Sequence, residues 1–164
     1  MDYSEKLSKF KSLVEDIRHG MLVTDDPTGS GLRSRPMATA GVDDDGTLWF
    51  FTALSSEKVQ EIYHDRSVNV AYAQPSDTKY VSVAGEAKIV TDSVKKRQYY
   101  SKIQDAWFDG PEDPQASLIK VVPTEVEYWD DNDSTIVTFA KIAAAAVLPN
   151  NEYKGSENER FAVK

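Results

Sequence analysis

At 164 residues, with 40% hydrophobic and 28% charged side chains, the chain has the size and composition of one globular domain, far from the disordered, collagenous or membrane classes. Nineteen Lys and Arg stand against 27 Asp and Glu, a formal charge of -8, so the average field repels phosphate backbones and anionic lipid and argues against nucleic acid or a membrane as partner. Cysteine is absent, which removes disulfide frameworks, thiol catalysis and thiolate metal sites.

The polar start MDYSEKLSKFKSLVEDIRHG does not resemble a signal peptide, and no apolar run approaches a membrane span, so a cytoplasmic protein is expected. Leu7, Phe10, Leu13, Val14 and Ile17 recur at three- and four-residue spacings. They predict an amphipathic helix over 4–18, with Ser4 as cap and Gly20 as stop. Two strands over 21–24 and 32–42 follow, joined through the turn chemistry of DDPTGSG. DDDG at 43–46 makes a second turn before an aromatic, β-branched third strand over 48–52.

The period then changes. Val59, Ile62 and Tyr63 mark one side of a short helix over 56–63, with Ser55 or Ser56 as its cap. Strands are predicted over 68–72 and 80–90, linked by QPSDTK, and a helix runs from Thr91-Asp92 through Tyr100. Residues 103–116, rich in Asp, Gly and Pro around Trp107 and Phe108, have the character of a functional loop. Strand pattern resumes over 118–129, with a last strand predicted over 135–139 and an alanine-rich helix over 139–147. The domain is expected to span 1–150, with 151–164 a polar, loose tail. Six or seven short strands joined by tight turns, with a few helices, predict an antiparallel β-barrel with helical additions.

Two segments carry candidate chemistry. In Arg33-Ser34-Arg35-Pro36-Met37, on a strand, the two arginines face the same side. They form either a solvated face paired with nearby acids or a built cationic patch. In Phe51-Thr52-Ala53-Leu54-Ser55-Ser56-Glu57-Lys58, a strand end runs into a helix start. Amides at that N-terminus, the hydroxyls of Thr52 and Ser56, and the Lys58 ammonium can converge on one phosphate. The alternative is an ordinary serine cap beside an exposed lysine. His19 and His64 lie apart and suit helix ends, and Asp43-Asp44-Asp45-Gly46 lacks the spaced acceptors of a calcium loop. No metal site is expected. Trp107, in the irregular loop, needs a neighbouring subunit or a planar ligand.

In this order, RSRPM, then LWFFT, then SSEK opening a helix, the sequence resembles the FMN-binding split-barrel family, which includes the pyridoxamine phosphate oxidases. Within it, Gly85-Glu86-Ala87 and the run from Val122-Pro123 to Glu127-Tyr128-Trp129-Asp130 resemble the bacterial general stress protein 26 group, so the likeness covers roughly 5–135. The resemblance implies a six- or seven-stranded antiparallel split barrel that holds FMN at a homodimer interface. It also admits FAD if the adenylate end leaves the cleft.

By that resemblance Arg35 and Lys58 bind the FMN phosphate, and Ser56 and Thr52 add hydroxyl contacts. Pro36, Met37, Phe50 and Phe51 line the flavin through backbone and apolar contacts, and Trp107 approaches the ring from the second subunit. Two departures matter. Glu57 stands where the oxidases carry a second basic residue, and no C-terminal Arg-x-His substrate segment is present, so vitamin B6 oxidation is not expected. No general acid, base or substrate cluster is recognisable, and the catalytic residues stay unassigned. A flavin-binding stress protein and a flavin-dependent oxidoreductase both remain open. Deazaflavin is a third reading, and haem is disfavoured because neither histidine lies in the motif region.

Overall fold

A computed structural model describes residues 2–29, 31–130 and 157–163. The strand predicted over 135–139 and the helix over 139–147 lie outside the described residues. Helix α1 spans Tyr3–Ile17. Its cap is Asp2 rather than Ser4: the Asp2 carboxylate accepts from the Glu5 amide at 2.9 Å and the Glu5 carboxylate from the Asp2 amide at 2.7 Å. This reciprocal box satisfies two donors at once; Ser4, two residues further in, has Leu7 where a box needs Glu or Gln. The helix stops at Arg18, in a φ 63° conformation with its amide returning to the Val14 carbonyl, and not at Gly20. Gly20 belongs to strand β1 (His19–Asp26), where a Cβ would come within 2.9 Å of the Tyr72 ring.

The remaining elements are β2 (Gly31–Val42), β3 (Leu48–Ala53), α2 (Glu57–His64), β4 (Ser67–Gln74), β5 (Lys79–Val90), α3 (Ser93–Tyr99), β6 (Ala116–Asp130) and β7 (Glu157–Ala162). Short 3-10 turns occupy Pro75–Asp77 and Gln104–Ala106. Every strand pair is antiparallel, in the order β3-β2-β1-β4-β5-β6-β7, and β3 also pairs with β6. The first six strands therefore close a barrel, with β6 pairing with β3 through 116–121 and running on past it. Leu22, Phe50, Val70, Tyr72, Val83, Ile119 and Tyr128 fill it, and Phe10 and Val14 of α1 join the same core. Each large side chain buried in this way contributes about 1.5–3 kcal/mol.

The polar tail, expected to be loose, contains β7. Residues 116–121 of β6 pair with β3, whereas 125–130 leave that edge open, and the stretch from Glu157 to Ala162 takes it. Apolar contacts hold the inner face: Phe161 is buried and meets Tyr3 edge-on at 6.1 Å between ring centroids, and Val163 packs against the same core.

The β5–β6 ladder shifts register beside Gly85, which faces Pro123. A Cβ on Gly85 would stand 2.5 Å from the Val122 carbonyl oxygen. Glycine allows the close approach, and proline has no amide to leave unpaired. In α2, Val59 and Ile62 are buried as the spacing predicts. Tyr63, expected beside them, is exposed, and Glu61 is the third buried residue.

Candidate functional site

The alternation of β2 projects Arg33 and Arg35 toward α2, as the sequence spacing predicts. Arg33 Nη1 donates to Glu57 at 2.7 Å and Arg35 Nη2 to Glu61 at 2.5 Å. Arg35 is anchored further from β1, donating through Nη1 to Thr24 Oγ1 at 2.5 Å and to the Leu22 carbonyl at 3.4 Å. Arg33 is half-exposed, and its exposed pair with Glu57 adds little stability. Arg35 is mostly covered.

Opposite these arginines, β3 ends and α2 begins. Ser56 is the N-cap of α2, yet its side chain caps no amide of the first turn. Its hydroxyl lies 3.0 Å from Thr52 Oγ1, and Lys58 Nζ donates to that same Thr52 oxygen at 3.2 Å. The three residues singled out in this segment are therefore joined; the Val59 amide returns to the Ser56 carbonyl at 3.1 Å, and the Ser56 side chain caps neither the Glu57 nor the Lys58 amide. Burial, and then the charge of Arg35, lower the Lys58 ammonium below the ordinary lysine range. Arg33, Arg35, Ser56, Glu57 and Lys58 enclose a corner of about 280 Å³.

A second cavity, of about 500 Å³, meets the corner at Lys58. Pro36 and Met37 form one side and Phe51 and Thr52 the floor. The segment from Ile103 to Phe108 closes the other side with Trp107, which is 71% exposed. Phe51 is held edge-on to Tyr100 at 5.5 Å and tilted against Phe108 at 6.3 Å. The Tyr100 hydroxyl reaches Asp105 at 3.0 Å and the Phe108 carbonyl at 3.2 Å and accepts from the Gly110 amide at 3.1 Å, which pins this loop.

Phe50 does not join them: strand alternation turns its ring into the barrel core, fully buried, so only its backbone runs near the cleft. Trp107 lines the cleft of its own chain. His19 and Gln104, which carry no motif in the sequence, line it as well. His19 pairs with Ala38, directly after Pro36-Met37, a relation visible only once the β1–β2 register is known. The corner is suited to an anion and the cleft to a planar apolar body, with a size inside the usual ligand-pocket range of about 300–1,000 Å³.

Among the described residues no group of three or more His, Asp or Glu is placed to hold a metal ion. No described helix is long and apolar enough to cross a membrane. The run Asp43–Gly46 is a turn, with Gly46 at φ 87° and the Asp43 carboxylate accepting from Trp49 Nε1 at 2.9 Å.

The chain is similar to proteins already known. It is 28% identical over 153 residues to "Protein bli-3" of Neurospora crassa, an alignment that covers 87% of this chain and 73% of that protein. The crystal structure of general stress protein 26 from Bacillus anthracis superposes with a TM-score of 0.68 at 28% identity, covering 78% of this chain and 94% of that one. The general stress FMN/FAD binding protein of Xanthomonas citri shares the fold, with a TM-score of 0.66 at 23% identity, over 79% of this chain and 89% of that one. A profile of the family described as "Pyridoxamine 5'-phosphate oxidase like" matches residues 5–153. With that match across nearly its whole length, on a closed six-stranded barrel with one added strand, the chain belongs to the pyridoxamine 5'-phosphate oxidase-like family.

Proposed function

We propose that this chain is a stress-related flavin-binding protein that takes FMN at a homodimer interface, admits FAD, and does not oxidise vitamin B6. The observation that carries the reading is the position of Lys58, which belongs at once to the cationic corner and to the apolar cleft. A phosphate held by Lys58, Arg35 and the hydroxyls of Ser56 and Thr52 leaves the attached ring system in the cleft against Pro36, Met37, Phe51 and Trp107. The donor set fits this use: two cations, two hydroxyls and uncapped helix amides meet in a chain whose overall charge is -8. The family and the name of the Xanthomonas citri protein support the same ligand class.

When bound, flavin supplies reversible electron and hydride chemistry. The chain's own residues orient it and exclude water. FAD is admitted because the corner opens toward exposed Arg33 and Glu57, where an adenylate end can leave. The dimer is supported by Trp107 and Ile103, 71% and 64% exposed beside the cleft, which a second subunit would cover.

Titration with FMN and with riboflavin, followed by flavin and tryptophan fluorescence, tests the reading. FMN binding tighter than riboflavin binding is the expected result, and no quenching by either refutes it. A second reading, a flavin-dependent oxidoreductase, is favoured by His19, an imidazole at the cleft able to move a proton. Reduction of bound flavin by NADH or NADPH and reoxidation by a panel of acceptors distinguishes the two.

A further inference from the structure

Beneath the cationic corner lies a carboxylate that flavin binding leaves without a task. Glu61 is only 4% exposed. Its Oε2 accepts from Thr24 Oγ1 and from Arg35 Nη2, each at 2.5 Å, and its Oε1 from Arg33 Nη1 at 3.5 Å. Removing a carboxylate from water is costly even when it is paired, and a negative charge here works against any anion above it. Arg33, Arg35 and Lys58 face Glu57, Glu61 and Asp26, which lies 4.0 Å from Arg33, so the cluster carries no excess of positive charge. Charge alone would favour a neutral residue at 61.

What the carboxylate adds is geometry. Arg35 Nη1 is engaged by Thr24 and the Leu22 carbonyl, and one Nη2 hydrogen by Glu61. Nε and the second Nη2 hydrogen keep no partner among the described residues, and Arg35 lines the corner. A guanidinium with two N–H groups in reserve, held flat by its other donors, is suited to grip two oxygens of one phosphate. Glu61 also lies one turn beyond Lys58 on α2, so the same contact sets the spacing between the arginine of β2 and the lysine of α2.

We propose that Glu61 is a positioning residue for phosphate recognition: it holds Arg35 so that its free donors face the terminal phosphate of the cofactor. This rests on the flavin reading above and extends it to a residue outside the corner's lining. Glu61→Gln tests it, because glutamine keeps the size and one acceptor but removes the negative charge that pairs with Arg35. FMN and riboflavin are titrated into the intact chain and the variant. The positioning role lowers FMN affinity on the order of tenfold, with riboflavin unchanged, although the corner has gained positive charge. A carboxylate that only repels the anion gives the opposite sign, so unchanged or tighter FMN binding overturns the proposal.

In an Arg35→Ala background the Glu61→Gln loss should vanish, because Glu61 acts through Arg35; a loss that persists overturns the proposal. Should Glu61→Gln fail to bind riboflavin, Thr24→Val, which keeps the buried volume and removes only the hydroxyl under Arg35, decides. A smaller loss of FMN affinity supports the proposal and an unchanged affinity overturns it. If the unsubstituted chain binds FMN no more tightly than riboflavin, the underlying phosphate reading has failed, a result recognisable before any substitution is made.

Discussion

Lys58 Nζ donates to Thr52 Oγ1 across 3.2 Å, tying the first turn of α2 to the end of β3. The ammonium is thereby held between corner and cleft with most of its hydrogen-bonding capacity still open, since it carries three donors. Lys58→Ala is expected to weaken FMN binding about ten- to a hundredfold, the loss of a charge-assisted bond of roughly 1.5–3 kcal/mol. Riboflavin affinity should stay the same; a lysine that served only as a surface residue would leave FMN affinity intact and shift stability by no more than about 0.5 kcal/mol. Parallel titrations with the two flavins check this, and an unchanged FMN affinity removes Lys58 from the site.

Glu57 competes for the cations from the corner's own exposed rim. Its carboxylate holds Arg33 at 2.7 Å while both side chains remain exposed. Glu57→Arg frees Arg33 and reverses a charge at the mouth, so FMN affinity should rise by about two- to fivefold at low salt, equivalent to roughly 0.5–1 kcal/mol. The gain should shrink as ionic strength increases. Titration at two salt concentrations measures both effects, and a salt-independent gain would point away from electrostatics.

The exposed side of the cleft predicts self-association. Trp107 and Ile103 together present an apolar surface next to the ligand cavity. Sedimentation at micromolar concentration should show a dimer, and Trp107→Ala should weaken both the dimer and the quenching of tryptophan fluorescence by flavin. A monomer that retains bound flavin contradicts the dimer.

On the other side of β2, Gly41 is kept free of a side chain by Tyr99. A Cβ at Gly41 would lie 2.1 Å from Tyr99 Cε1. That ring cannot retreat easily, being stacked on Trp49 at 5.7 Å with its hydroxyl donating to Asp43. Gly41→Ala should therefore cost about 1–3 kcal/mol. For a chain of this size that lowers the melting temperature by roughly 2–4 °C per kcal/mol. Adding Tyr99→Ala should recover part of the loss, which a double-mutant cycle would register.

The sequence made much of this site legible because its parts are local. Period-two alternation places Arg33 and Arg35 together, and a strand running into a helix start places Thr52, Ser56 and Lys58. What it hid depends on contacts between distant segments. Alternation separates Phe50 from Phe51 but does not say which of them enters the barrel, which the pairing of β3 with both β2 and β6 decides. Glu61 looks like a solvated helix residue until Arg35 and Thr24 are brought over it. The tail strand is hidden by its polarity, since only the free edge of β6 gives it a partner. Gly85 and Pro123 read as two separate motifs and are one bulge.

The two sides of the cleft differ in how they can open. Phe51 and Thr52 sit on β3, which pairs with β6 from Leu48 to Ala53 and with β2 up to Phe50. Trp107 and Phe108 follow a single 3-10 turn that Tyr100 pins from beneath. Local opening draws on the least stable segments first, so a ligand should enter and leave past the 103–108 segment while the strand wall stays closed. Residence time and affinity would then be set by different parts of the chain, the first by the hold of Tyr100 on the loop and the second by the cations across the cleft.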